Sequence, residues 1–252
     1  MAGLRPIIEF MTINFSLIGI DQVINSAAKL RYMSGGQFKL PMVFRGPGGS
    51  VHQLSAQHSQ ALESFYAHIP GLYVVMPSNA HDAKGLLKSS IRDDNPVVFI
   101  ESEAMYGVKG EVPEETYTIP LGKADIKKEG TDLTIICWSK SVPICLEAAA
   151  GLEEAGVSVE VIDLMTIRPL DKETVIESVK KTNRALVVQE SWPQASVGHW
   201  VAAELSEEIF DWLDAPIKVI SGMDCPYPYA KNLEALMRTS PNDVAEAARS
   251  LL

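Results

Sequence analysis

The sequence predicts an α/β fold of two domains, each a parallel sheet with helices on its faces. Three features of the 252 residues carry this. Short apolar runs rich in Val and Ile recur along the chain. Segments long enough to form a crossover helix separate them, as a parallel sheet requires. The alternation lapses once, over residues 103–131, and then resumes. That lapse divides the chain into a first domain over 1–110, a linker over 111–130 and a second domain over 131–252.

The elements follow in order. Residues 5–10 read as a strand that begins almost at once, as if the chain opened inside a domain. Asn14 is placed to cap a helix running to about residue 33, with Leu17, Ile20, Ile24 and Ala28 on one face. Ser34-Gly35-Gly36 ends it. A strand over 41–45 leads into the loop Gly46-Pro47-Gly48-Gly49, and a helix is expected over 57–68. Pro70-Gly71 precedes a strand over 72–76. Asn79 caps a helix carrying Ala83, Leu86, Leu87 and Ile91, and Asn95-Pro96 turns the chain into a strand over 97–100. Beyond the linker, strands are expected over 133–137, 157–164, 185–189 and 217–220, and helices over 141–155, 171–181 and 198–212. Ser240-Pro241 opens the last helix with a preferred cap and a first-turn proline.

Composition bounds the function. Apolar residues make up 46% and charged residues 21%, enough for a real core and too apolar for wholesale disorder. A net charge of −10 disfavours nucleic acid and is compatible with a basic protein partner. Cys137, Cys145 and Cys225 are scattered and odd in number, so they read as reduced thiols rather than a disulfide frame or zinc site. No apolar run reaches transmembrane length and no targeting segment is visible. The expected location is cytoplasmic, or the mitochondrial matrix or plastid in a eukaryote, with no membrane contact.

The stretch PMVFRGPGGSVHQLSAQHSQ, residues 41–60, is the most informative for chemistry. An apolar strand ends in a Gly/Pro loop carrying His58, and parallel sheets present chemistry at this edge. The alternative is an idle loop histidine. His52, His68, His81 and His199 are isolated and read as surface or capping residues. Met11, Phe15 and Met33 read either as core packing or as an apolar wall for a flat cofactor ring. Arg45 points into a cleft or makes a loop salt bridge. Asp93-Asp94-Asn95 is a solvated helix end, or a set of oxygen donors for a cation. Tyr227 and Tyr229 read as an exposed aromatic pair. No dinucleotide fingerprint, Walker loop, GxSxG elbow or HExxH motif is present.

Nine stretches run through the chain in order: EFMTINF (9–15), DQVINSAAK (21–29), YMSGG (32–36), VFRGPGG (43–49), AQHSQ (56–60), DAKGLLKSSIRDDNPVV (82–98), MYGV (105–108), EVIDLMTIRPLD (160–171) and PYPYAKNLE (226–234). On these the sequence resembles the pyruvate dehydrogenase E1 β subunits, thiamine-diphosphate-dependent members of the transketolase superfamily. The resemblance implies a pyrimidine-binding domain, incomplete at its N-terminus, followed by a transketolase C-terminal-like α/β domain. It implies oxidative decarboxylation of pyruvate with acetyl transfer to a lipoyl group. The implied partners are an E1 α subunit and a second β subunit in an α2β2 heterotetramer, and the E2 lipoyl acetyltransferase. Thiamine diphosphate would lie between the α and β subunits, with its diphosphate and Mg2+ held by the α subunit. Phe15 and Met11 would then pack on the aminopyrimidine, and His58 would steer the lipoyl group and manage protons. A potassium site in some members falls at Met42, Ser90, Ile91, Asp93 and Asn95. Ser90 stands where Ala is expected, which leaves a backbone carbonyl unaffected.

One departure accompanies the resemblance. The family's β subunits carry about seventy further residues ahead of this point, roughly half a typical domain. Those residues hold the glutamate that bonds the pyrimidine ring, and Glu9 lies beyond that motif. The sequence is therefore expected not to activate the cofactor unaided, and to need a partner to cover an open sheet edge. The rival readings are a branched-chain 2-oxo acid or acetoin E1 β subunit, and a non-catalytic assembly fragment.

Overall fold

Apolar alternation broken by Gly and Pro produces ten strands and eight α-helices among the described residues. The structure is a computed structural model and describes residues 3–252. Met1 and Ala2, where the sequence suggested an internal start, lie outside the described residues. In chain order the elements are β1 (Ile7–Glu9), α1 (Ala28–Met33), β2 (Val43–Gly48), α2 (Glu63–Ala67), β3 (Tyr73–Val75), α3 (Ala80–Arg92), β4 (Val97–Ser102), β5 (Asp125–Lys128) and β6 (Leu133–Cys137). They continue with α4 (Ser141–Glu154), β7 (Val159–Asp163), β8 (Thr166–Arg168), α5 (Lys172–Thr182), β9 (Ala185–Val188), α6 (Val197–Glu208), β10 (Lys218–Ile220), α7 (Lys231–Met237) and α8 (Pro241–Arg249).

The strands form two sheets, ordered β1-β2-β4-β3-β8 and β10-β9-β6-β7-β5. Each is parallel except for one antiparallel edge strand, β8 and β5 respectively. The α/β expectation therefore holds, with two strands the sequence reading missed. β5 falls in the predicted linker. It is too charged to read as a buried strand, and lysines suit an exposed edge. β8 lies just beyond the strand expected over 157–164 and was not assigned. Met165, at φ 52°, breaks the run, and its N–H donates to the Asp163 carboxylate at 3.0 Å. The chain then leaves its own sheet and pairs with β3.

Four other expectations shift. Residues 13–33 are one helical stretch, but it opens as a tight 3-10 turn (Ile13–Gly19), widens to a π-helix (Gln22–Ala27) and closes as α1. Thr12, not Asn14, is its cap. β2 runs on through Gly48, so the predicted glycine loop is mostly strand. A Cβ at Gly46 would lie 2.6 Å from the Phe10 carbonyl oxygen, which is why the first helical turn can sit against β2. The helix expected over 57–68 shrinks to α2, because Gln53 and Ser55 take left-handed backbone angles and Gly49 N–H closes the loop on the Gln60 carbonyl at 3.0 Å. The helix α7 was missed altogether.

The largest core cluster draws on both sheets. Ile13, Phe44, Leu62, Tyr66, Val74 and Ile100 from the first half are buried in one cluster with Ile136, Trp138, Ile162, Val187 and Val201 from the second. The segment before β5 is pinned along α3. Ser89 Oγ donates to the Ile119 carbonyl at 2.5 Å, and Tyr117 Oη donates to the His81 carbonyl at 2.8 Å. Gly85 makes this approach possible, since a Cβ there would stand 2.6 Å from Ile119 and 2.9 Å from the Tyr117 ring. Gly85→Val is expected to destabilise the fold by about 1–3 kcal/mol through overpacking, read as a lowered urea midpoint with unchanged slope; an unshifted midpoint would show that the segment is not packed there.

Candidate active site

The carboxyl ends of β1 and β2 bring two of the predicted residues, Phe15 and His58, to one place. After β1 the chain turns at Thr12, whose hydroxyl donates to the Pro47 carbonyl at 3.2 Å. Ile13 is fully buried and anchors the turn. Asn14 faces the next loop, where its Oδ1 accepts from the Gln60 backbone N–H at 3.2 Å and from Gln60 Nε2 at 3.1 Å. These contacts set Phe15 against His58, with ring centroids 5.2 Å apart and planes at 81°. This edge-to-face contact is a favourable aromatic geometry. Phe15 remains 37% exposed, so an apolar ring stands open beside a half-buried imidazole, and Met11, four residues earlier in the chain, is 79% exposed. Core packing, the alternative reading of Met11 and Phe15, does not describe them. Such a surface fits one face of a flat heteroaromatic ring, with the imidazole at its border.

The other candidates disperse. His52, His68, His81 and His199 all lie on the surface, leaving His58 as the one histidine of five that is partly enclosed. Arg45 is held in the sheet by Glu9 at 2.6 Å and by both oxygens of Glu101 at 2.6 Å, and Tyr106 Oη donates to the same Glu101 at 3.0 Å. Tyr229 is exposed as expected, but Tyr227 is buried. Its burial, with the nearby charge of Glu190, pushes its phenol up to about 12. Cys137 and Cys145 are buried, Cys225 is half-buried, and all three are free thiols.

The potassium expectation meets an obstacle. The carbonyls of Ile91 and Asp93 accept from Arg5 Nη1 at 3.1 Å and 2.7 Å, and the Met42 carbonyl accepts from Val97 N–H at 2.9 Å. Ser90 Oγ turns away to the Leu86 carbonyl at 2.7 Å, while the Asn95 side chain is taken by Asp93 and Arg31. A guanidinium thus already rests on two of the five oxygens, and a second cation there would be repelled. As they stand these residues do not fit the ion. Exchanging sodium for potassium at constant ionic strength should leave the thermal midpoint unchanged by calorimetry. A potassium-specific rise would return the ion to these oxygens.

Sequence reasoning missed the carboxylates behind the loop. Glu63 opens α2, where an acidic residue reads as an exposed partner of the helix dipole. Instead it is 1% exposed, and neither carboxyl oxygen has a hydrogen-bond partner within the protein. Desolvation pushes it up to about 7, and the nearby charge of Glu190 adds to this. Asp163, buried beneath Ser78, is also pushed up to about 7 by desolvation. A carboxyl raised in the folded state holds a proton that the unfolded chain releases. Stability should therefore fall as pH rises from 4.5, the ordinary value, to about 7, and level off above it. Glu63 contributes on the order of 3 kcal/mol to that slope, and Glu63→Gln should remove this share in denaturant titrations across the interval. An unchanged slope would mean that Glu63 is ionised in the fold.

Comparison with known proteins gives this geometry a context. Residues 1–109 match the family model for the transketolase pyrimidine-binding domain, and residues 122–244 match that for the transketolase C-terminal domain. The chain is 53% identical over 252 residues to the pyruvate dehydrogenase E1 component subunit beta of Rhizobium meliloti (strain 1021), spanning all of this chain and 55% of that protein. It is 53% identical over 250 residues to the subunit of the same name from Rickettsia conorii, covering 99% of this chain and 77% of the relative. The mitochondrial subunit beta-2 of Oryza sativa subsp. japonica is 49% identical, with 98% and 67% covered. Among solved structures, a split gene transketolase described as an inactive beta4 tetramer superposes with a TM-score of 0.81 at 23% identity, covering 99% of this chain and 76% of that one, a likeness of fold alone. With an open phenyl ring beside a half-buried imidazole at the sheet edge, and identities near half over essentially its whole length, the chain belongs to the family of pyruvate dehydrogenase E1 component β subunits.

Proposed function

We propose that this chain supplies the pyrimidine-facing half of a thiamine-diphosphate site that acts on pyruvate and passes the acetyl group to a lipoyl arm. The observation carrying the proposal is the Phe15–His58 pair, edge to face at 5.2 Å, with Met11 exposed four residues before Phe15 in the chain. No cluster of three or more His, Cys, Asp or Glu suited to a metal occurs among the described residues. In this reading, as the resemblance implies, an E1 α subunit grips the diphosphate and Mg2+, and two β chains join two α chains. The E2 lipoyl acetyltransferase is the acceptor's carrier. No helix among the described residues is long and apolar enough to cross a membrane.

Each residue has a role in this reading. The cofactor supplies the electron sink for decarboxylation. Phe15 and Met11 present an apolar surface that orients its ring and excludes water from one side. In reductive acetylation the dithiolane S–S bond breaks. One sulfur takes the acetyl group, and the other departs as a thiolate that needs a proton. His58 donates that proton from its ring nitrogen, a task suited to imidazole because its ordinary titration lies near neutrality.

The test uses the chain assembled with its α partner, magnesium and thiamine diphosphate. His58→Ala should slow acetylation of a lipoyl domain by about 10²-fold, while pyruvate decarboxylation followed with an artificial electron acceptor falls far less. Phe15→Ala should raise the thiamine diphosphate concentration for half-saturation by about tenfold, as loss of a buried aromatic contact implies. Acetyl transfer at the wild-type rate in His58→Ala would overturn the role of the imidazole. Failure of the assembled wild type to consume pyruvate would overturn the reading as a whole.

A further inference from the structure

The loop that carries His58 belongs to the first half of the chain, yet the second half holds it. Gly49 and Gln60 close its base, and Gln60 is tied to Asn14. Between those ends, among the described residues, every hydrogen bond that residues 50–56 make beyond the loop runs to the second half. Ser50 N–H donates to Glu190 Oε1 at 2.6 Å. Lys140 Nζ donates to the Ser50 carbonyl at 2.9 Å and to Ser50 Oγ at 2.8 Å, and pairs with the Glu190 carboxylate. Gln53 N–H donates to both oxygens of Glu234 at 3.2 and 3.1 Å, and Gln53 Nε2 donates to the Tyr229 carbonyl at 3.2 Å. Arg238 holds Glu234 from behind at 2.8 Å.

The fit is close enough to be specific. Gly49 has φ 77°, and a Cβ there would stand 2.2 Å from Glu190 Oε2. Lys140 and Glu190 are each only 15% exposed, so their attraction is weakly screened. Neither group reaches Phe15 or His58 directly. Both act on the backbone that leads to His58, eight residues beyond Ser50 in the chain.

We propose that Glu190 and Lys140 are positioning residues for His58: as an ion pair at the start of β9's following loop and of α4, they clamp the Ser50 backbone and set where the imidazole stands. The inference rests on the proposed role of His58, and its test separates the two. In the assembled α2β2 enzyme, Glu190→Gln keeps shape and removes charge. It should raise amide hydrogen exchange over residues 50–58 by about tenfold, leaving α3 and α6 unchanged, as expected for local rather than global opening. Acetylation of a lipoyl domain should fall by about tenfold while decarboxylation stays within about twofold. In a double-mutant cycle, Glu190→Gln should cost little more once His58 is already Ala. Lys140→Met should reproduce these effects, and Lys140→Arg should restore most of the rate, so a folding failure in one variant leaves the other to decide.

Additive losses from His58→Ala and Glu190→Gln would overturn the positioning role while leaving His58 in place. Equal loss of both half-reactions, or unchanged exchange over the loop, would do the same. An inert His58→Ala would instead overturn the underlying reading, whatever the exchange data show.

Discussion

The structure depends on the union of two sheets across their largest shared core cluster. After β7 the chain leaves the second sheet, and β8 closes the otherwise open edge of β3 in the first. Ser78 Oγ reaches across to the Asp163 carboxylate at 2.5 Å, just where the chain makes that crossing. Open strand edges invite wrong partners, so covering β3 from within removes a liability. It also fixes the two halves at one spacing, since Trp138 and Ile162 pack in the same cluster as Leu62 and Tyr66. Close-packed interiors do not deform smoothly, so that spacing is transmitted to whatever lies at the seam.

The His58 loop lies at this seam. Its one face meets the ring of Phe15, and its other face is a polar clamp of Lys140, Glu190 and Glu234. The two faces meet different requirements. An open apolar surface binds a flat ring without dictating chemistry, whereas a proton donor has to be within hydrogen-bond reach of its target. Loops alone hold such positions poorly, and rigid supporting contacts supply what the loop lacks. Glu63, three residues past the base of the loop, is pushed toward its neutral form by burial, and the nearby charge of Glu190 adds to this.

The opposite end of the first sheet shows how one arginine changes an expectation. Arg5 joins the carbonyls of Ile91 and Asp93 to the Asp94 carboxylate, with Nη2 to Asp94 Oδ1 at 2.7 Å. A guanidinium presents several donors in a fixed fork, so it can satisfy two carbonyls and a carboxylate at once. The resemblance placed a potassium ion at these oxygens. The side chain that reaches them comes from more than eighty positions earlier in the chain, and no local motif reports it.

Much of the fold is legible in the sequence because its causes are local. Period and turn chemistry located β6, α4, α5 and β9 closely, and Ser240-Pro241 marked α8, whose capping box with Asp243 the structure contains. His58 was singled out from its loop after an apolar strand and Phe15 as an apolar residue beside the first helix; the resemblance gave each a role, and only the folded structure sets them in contact. What the sequence could not determine are the contacts between residues far apart in it. β8 joins a sheet formed some ninety positions earlier, Ser50 meets Glu190 across 140 positions, and Gln53 meets Glu234 across 181. Burial of Glu63 is of the same kind, since a glutamate in a first helical turn becomes an interior group, harder to ionise, only when another part of the chain covers it. Local preferences choose the elements; desolvation and pairing of charge, which need the assembled tertiary structure, choose what those elements hold in place.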